Sequence, residues 1–478
     1  MKRIVFNITI LSVLLMFSVT ISTYSEPISK EKALSISNKW NAIKSIQKSL
    51  EISEVFTVED AGIPAFYIFN YSDGGFVIVS ADNKIHPILG YSRTGYLKPD
   101  PTNVQLTSWF NSYTEKIAYV VKNKEDNANE NTLKEWISIE NYDNSPSALK
   151  AGGASVPSLF EGNQTSRWAA WYPYSILTPD MEGSNGCVPL AVAQICKYWK
   201  HPKQGAGSTS YNQYYEGTTY THSITHSDHL YNYDLMPFRL TYCGNGLENC
   251  DEGSWDILPG ITDEQINEVG RLFYHSGLAV NMYWWTEGTY PPSSNWAQEM
   301  EDHLGFDSSW TYWSSSTIDN NPTSFKSALR TEIDNGRPVL FKYYRHAVVI
   351  NGYEDDDYFY MAMGRGGWSD AYYYLFTSDA DGVHPLVPHD TLYQAVTNLK
   401  PDCNIPTDIN ITTDLASSTV AAYQASSTIS ISSEISGTGS SGANIAFYAG
   451  EGVELSEGFK IETGAQLLIN IETCGEPY

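Results

Sequence analysis

This chain of 478 residues is short of positive charge, of cysteine and of long apolar runs, and each shortage narrows its function. Only 29 Lys and Arg stand against 55 Asp and Glu, a formal net charge of −26. A field of that sign repels phosphate backbones and anionic headgroups, which argues against nucleic acid or membrane surfaces as partners. Six cysteines are too few to form the framework of a chain this long. Cys243 and Cys250 bracket a short polar loop, and Cys403 and Cys474 bracket the tail. Either pair can close in an oxidising compartment, and spacing alone does not choose between them. Beyond the N-terminus no stretch is long and apolar enough to span a bilayer. No P-loop, G-x-S-x-G or H-E-x-x-H pattern is found, so the nucleotide, serine and zinc chemistries they mark have no support.

At the N-terminus, Lys2 and Arg3 precede a mostly apolar run, Ile4 to Ile21, and small residues follow near Thr23 and Ser25. Asn7, Thr9, Ser12 and Ser18 dilute that run, so residues 1–25 read as a removable signal peptide rather than an anchor. The mature chain is then exported and soluble. Residues 27–50 carry Ala33, Ile36, Trp40 and Ile43 on one helical face. Two strand-like runs, 65–70 and 75–80, flank the Asn70-Tyr71-Ser72-Asp73-Gly74-Gly75 turn signal, and a second helix is expected near 106–121. Residues 123–155 are polar and charged and read as an exposed linker, where proteases cut.

Residues 156–400 form the largest block. Helices are expected from Cys187 and over 263–276, followed by strands at 337–341, 347–350 and 358–362. Helices first and sheet later indicate an α+β fold. From residue 401 the composition turns to Ser, Thr, Ala, Ile and Gly, with short strand-like runs. That pattern predicts a separate all-β module over 401–478, a sandwich or a short solenoid. His222, His226 and His229 lie in a polar stretch without helical spacing or nearby cysteine, so no metal site is expected there. Asp379-Ala380-Asp381-Gly382 brings its glycine too early for a calcium loop, and Glu354-Asp355-Asp356-Asp357 reads as a solvated turn. No cofactor is implied.

The chemistry concentrates at two points 159 residues apart. Cys187 follows the Gly183-Ser184-Asn185-Gly186 turn and opens an apolar helix, with Pro189 in its first turn, where a missing N–H costs little. The positive end of a helix stabilises thiolate, and a free backbone N–H there can hold an oxyanion. Cys196 lies nine residues on and points elsewhere. His346 opens the apolar strand Ala347-Val348-Val349-Ile350, which puts its ring at a strand end, near a cleft. Cysteine first and histidine far downstream is the order of papain-like thiol enzymes.

With these residues the chain resembles the streptopain family of secreted bacterial cysteine peptidases. Gly186 to Trp199 is similar to that family's nucleophile helix, and Gly336-Arg337-Pro338-Val339 through His346 to Tyr353 to its histidine strand. Tyr231 to Pro237 and Gly277 to Met282 have counterparts between them, and residues 26–122 resemble the family's inhibitory propeptide. The resemblance covers about residues 27–395. It implies a two-lobed papain-like domain with an α+β propeptide, made as a zymogen and acting on proteins or peptides, secreted or at the cell surface of a bacterium. It implies Cys187 as nucleophile and His346 as general base and acid.

Several positions depart from the family. Trp168-Ala169-Ala170-Trp171-Tyr172-Pro173-Tyr174 has Ala170 where the resemblance places an oxyanion-hole glutamine, and Gln164 is out of register. Ala362-Met363-Gly364-Arg365-Gly366-Gly367 keeps the family's glycines but not its Asn and two Trp, and Arg345 stands where a small residue is usual. Trp168, Trp171 and Trp368 are candidates for a replacement N–H. These losses carry a second reading, a catalytically weak or silent relative that binds on the same fold.

Overall fold

The computed structural model describes residues 26–47, 49–99, 104–122, 130–142, 154–160, 167–179, 186–243, 255–284, 295–343, 346–355, 358–367, 369–379, 382–385, 394–437 and 442–476. The proposed signal segment, Cys250, Gln164, Arg345 and Trp368 lie outside them.

Helix α1 (Lys30–Lys44) starts where the Ser29 hydroxyl accepts the Lys32 N–H at 3.2 Å, and it buries Ala33, Ile36 and Trp40. The antiparallel strands β1 (Ile52–Asp60), β2 (Ile63–Tyr71), β3 (Phe76–Ser80) and β4 (Ile88–Ser92) follow, then α2 (Val104–Lys122). Part of the expected linker is a helix, α3 (Glu130–Glu140). Leu133, Trp136 and Ile139 recur every three residues among charges and are buried, and the Trp136 indole donates to the Ile85 carbonyl at 2.8 Å. The rest of the expected linker, residues 123–129 and 143–153, lies outside the described residues.

The next block begins with α4 (Cys187–Trp199), the hairpin β5 (Ser208–Tyr215) and β6 (Thr218–Thr225), and the short pair β7 (Thr241–Cys243) and β8 (Trp255–Ile257). Then come α5 (Asp263–Ala279), α6 (Trp296–Leu304), β9 (Thr311–Trp313), α7 (Ser315–Asn320) and α8 (Pro322–Asp334). The last strands of the block are β10 (Val339–Tyr343), β11 (His346–Glu354), β12 (Tyr358–Ala362), β13 (Ala371–Tyr374), β14 (Phe376–Asp379), β15 (Gly382–Pro385) and β16 (Gln394–Thr397). The Asp379 and Gly382 positions face each other across the β14–β15 hairpin.

One antiparallel sheet unites both blocks, in the order β1-β2-β3-β4-β13-β12-β11-β10-β16-β9. Its joint is β4 on β13, with Tyr91 opposite Tyr372 and Gly90 opposite Tyr373. A Cβ on Gly90 would come within 2.9 Å of the Tyr373 ring, so the strands meet this closely only because the residue is glycine. Alternation along β11 divides two cores. Val348 and Ile350 join the aromatic core containing Trp109 of α2, while Ala347 and Val349 join the core around α4.

The tail is a parallel β-solenoid, not a sandwich. Its strands are β17 (Asp408–Ile411), β18 (Val420–Ala425), β19 (Thr428–Ile431), β20 (Glu434–Ile435), β21 (Asn444–Ala449), β22 (Gly452–Leu455), β23 (Lys460–Ile461) and β24 (Gln466–Ile471). They stack as β17-β19-β22, β18-β21-β24 and β20-β23, all parallel, and the Cys403–Cys474 disulfide ties the start of the tail to its end.

Candidate active site

Cys187 is the first residue of α4, a helix buried along its whole length. Gly186 before it faces the Phe273 ring of α5, where a Cβ would lie 2.6 Å from the ring edge, so only glycine admits the chain there. The thiol is almost fully buried, and burial pushes its pKa up; the backbone N–H groups of Ala347 and Val188 and the Lys342 ammonium pull the other way. The thiolate expected from the helix end is therefore outweighed here by desolvation. Cys196, deeper in the same helix, is a free, buried thiol.

His346 opens β11 as expected, and its ring is enclosed among the described residues. The side chain is buried, with Nε2 3.3 Å from the Met363 carbonyl oxygen and the ring edge-on to Tyr343 at 5.7 Å. Burial lowers its pKa to about 3; the nearby Arg365 charge pushes it further down, and the Met363 carbonyl opposes both. Thiol and imidazole are both neutral in this state. Each is bonded elsewhere.

The contacts on His346 lead back to the N-terminal unit. Trp109 of α2 packs edge-on against Tyr343 at 5.1 Å and against Tyr373 at 5.3 Å. The Tyr113 hydroxyl, one turn on, bonds the Tyr374 carbonyl. At the other end of β11, Glu354 accepts both Arg93 guanidinium nitrogens, at 2.9 and 3.0 Å, and lies 3.1 Å from the Lys44 ammonium. Asp355 also pairs with Lys44. The segment 354–357 is thus no solvated turn at its first two positions: it anchors the N-terminal unit.

The departures at Ala170 and Arg365 meet in space. Ala169 forms an antiparallel bridge with Arg365, and the Gly366 N–H donates to the Trp168 carbonyl at 3.0 Å. The buried Arg365 guanidinium lies 5.2 Å from the Trp171 ring centroid, a cation–π contact. The Trp168 indole N–H is already donated to the Pro237 carbonyl at 3.0 Å, so it does not replace an oxyanion donor.

Lys342 is a site residue that no motif marks. On β10 it stands opposite Ala347, on the α4 side of the sheet, with its ammonium 5.3 Å from the Trp296 ring. Burial lowers its pKa below the usual lysine value, and attraction to Cys187 partly opposes this. A lysine inside the apolar run 339–343 was the available signal. The three histidines weighed for metal serve packing: His226 bonds the Thr209 hydroxyl at 2.9 Å, His222 bonds Gln213 at 3.2 Å, and His229 lies against His275.

A neutral cysteine and histidine beneath a tightly paired N-terminal unit define a thiol peptidase fold held with its inhibitor in place. The sequence profile of the Peptidase C10 family matches residues 163–373, and that of the Spi protease inhibitor matches residues 25–117. These matches give the chain a C10-type cysteine peptidase domain preceded by an inhibitory propeptide domain. It is 24% identical over 376 residues to streptopain of Streptococcus pyogenes, covering 73% of this chain and 84% of streptopain. It is also 24% identical over 365 residues to the thiol protease/hemagglutinin PrtT of Porphyromonas gingivalis, of which it spans 39% of the length. A solved fragment of Prevotella intermedia prointerpain A shares the fold, with a TM-score of 0.52 at 22% identity, over 72% of this chain and 97% of the fragment. No helix among the described residues is long and apolar enough to cross a membrane.

Proposed function

We propose that Cys187 and His346 are the nucleophile and the general base and acid of an endopeptidase that the bacterium exports as a zymogen to cut proteins outside the cell. The thiolate adds to a peptide carbonyl, and the imidazolium gives its proton to the departing amine. Water, activated by the same imidazole, then releases the acyl group and restores the thiol. Lys2, Arg3 and the apolar run after them support export, and the polar stretch 143–153 is where activation would cut.

The observation that carries this reading is the ring stack from Trp109 through Tyr343 to His346. It links the inhibitory helix to His346, the histidine that opens β11, whose Ala347 and Val349 pack on the nucleophile helix, so departure of α2 frees the imidazole to turn toward the thiol. With Ala170 offering no amide, the oxyanion is left to backbone N–H groups at the start of α4. Loss of one such donor costs on the order of 10²–10³ in rate, so slow turnover is expected. The test is hydrolysis of an unfolded protein by chain cleaved within 143–153. Cleavage should vanish in Cys187→Ala and His346→Ala; activity that persists in Cys187→Ala refutes the assignment.

A further inference from the structure

The solenoid is built from inward-facing ladders, and each ladder ends in the open. Ile411, Ile431 and Leu455 stack in register, as do Leu415, Ile435 and Ile461. On the third face the columns are Tyr423, Phe447, Ile469 and Ala425, Ala449, Ile471. The middle members Ile431, Ile435, Phe447 and Ala449 are fully buried. The last members are not: Leu455 is 48% exposed, Ile461 43%, Ile469 39% and Ile471 54%. Among the described residues β22, β23 and β24 each pair on one side only, leaving three strand edges beside this apolar end.

The opposite end is treated differently. The side-chain amide of Gln204, just beyond α4, donates to the Val420 carbonyl and accepts the Ala422 N–H, both at 2.9 Å. It thereby supplies to the edge of β18 the pair of bonds that a neighbouring strand would. Along the side of the solenoid, Lys203 lies 4.5 Å from the Tyr448 ring of the middle coil and pairs with Glu472 just past β24, which fixes the solenoid to the catalytic block without covering the free edge of β24. The edge of β18 is covered in this way; among the described residues, those of β22, β23 and β24 are not. Solenoids need polar caps, and an exposed apolar edge otherwise recruits strands.

Charge selects the occupant. Residues 451–476 carry six glutamates and one lysine, and Lys460 is already paired with Glu434 and Glu462. Two copies of this end would bring like charges together, in chains already at −26. We infer that the last coil, β22 to β24, is a docking end for an extended segment of another protein in which apolar residues alternate with Lys or Arg. The segment adds as a further strand, its apolar side chains continuing the ladders and its cations meeting the glutamate rim.

The test uses the full chain carrying Cys187→Ala, so that nothing is cut, and a fluorescent ten-residue peptide alternating Val and Lys. Two comparison peptides have Glu in place of Lys, or the same Lys count with Pro at alternate apolar positions. Saturable binding of the Val/Lys peptide alone is expected, weakened at least tenfold by Leu455→Asn with Ile471→Asn. Both positions are exposed, so thermal melting should be unchanged; Ile469→Asn serves if that variant unfolds. No binding, equal binding of the Pro peptide, or equal binding by the variants overturns the inference. A concentration-dependent dimer in sedimentation that these substitutions abolish also overturns it, in favour of self-association.

Discussion

Arg365 bridges Ala169, the neighbour of Ala170, and where the family resemblance places a glutamine and a tryptophan this chain has a methyl group and a buried guanidinium. Restoring the amide is a direct check: in activated enzyme Ala170→Gln is expected to raise kcat about tenfold or more, with little change in KM. Lys342 gives a second. With its ammonium on the thiol side of the sheet, Lys342→Met should move the pH midpoint of Cys187 alkylation upward, because the thiolate loses a nearby positive charge. Lys342→Arg should largely retain the wild-type midpoint; an unchanged midpoint in Lys342→Met contradicts this role. The places of Cys187 at a helix start and His346 at a strand start were legible in the sequence because helix and strand patterns fix what opens each element. Lys342 was not, since its relation to the thiol depends on the β10–β11 register and on the helix packed across it. The neutral state of the dyad was equally hidden, because burial depends on the whole assembly.

In the proposed zymogen, the β4–β13 joint and α2 are the elements that hold the enzyme shut. Gly90→Val forces a side chain into Tyr373, and Trp109→Ala removes the ring that backs Tyr343. Both are expected to speed activation of the full chain several-fold, followed as the time course of proteolysis after mixing with a trace of activating protease. Glu354→Gln should act in the same direction and more weakly. Its bidentate Arg93 partner is partly exposed, so the loss is about 1 kcal/mol. Strands and helices of these units followed from alternation and helical spacing, as in the runs 76–80 and 187–199. The α3 helix was missed because polar and charged residues together make up most of it while three apolar positions carry its packing. The role of Glu354 was missed for a related reason: an acidic turn looks solvated until its cationic partners arrive from 44 and 93.

At the scale of the molecule, buried neutral histidines couple stability to pH. Burial lowers His346 to about 3 and His201 and His226 to about 4. Below the unfolded value near 6.5, the unfolded chain binds more protons than the folded one, so stability falls as pH drops toward 4. Each histidine contributes at most about 1.4 kcal/mol per pH unit in that window. Thermal melting of the full chain at pH 7 and pH 4.5 should show a clearly lower midpoint in acid; a flat profile would contradict it. The separate tail was legible from its Ser/Thr/Gly composition. A short solenoid was one of the two forms expected, but the choice between it and a sandwich was not legible, since parallel stacking is decided by pairings some 20 to 24 residues apart, such as Ile411 with Ile431 and Ile431 with Leu455. The central claim is that the N-terminal unit holds a competent Cys187–His346 pair apart. Mass-spectrometric mapping of a peptide-based, thiol-directed active-site probe tests it most directly. Cys187 should be labelled only after cleavage within 143–153 and not in His346→Ala; equal labelling before and after cleavage, or no labelling at Cys187 at all, would contradict it.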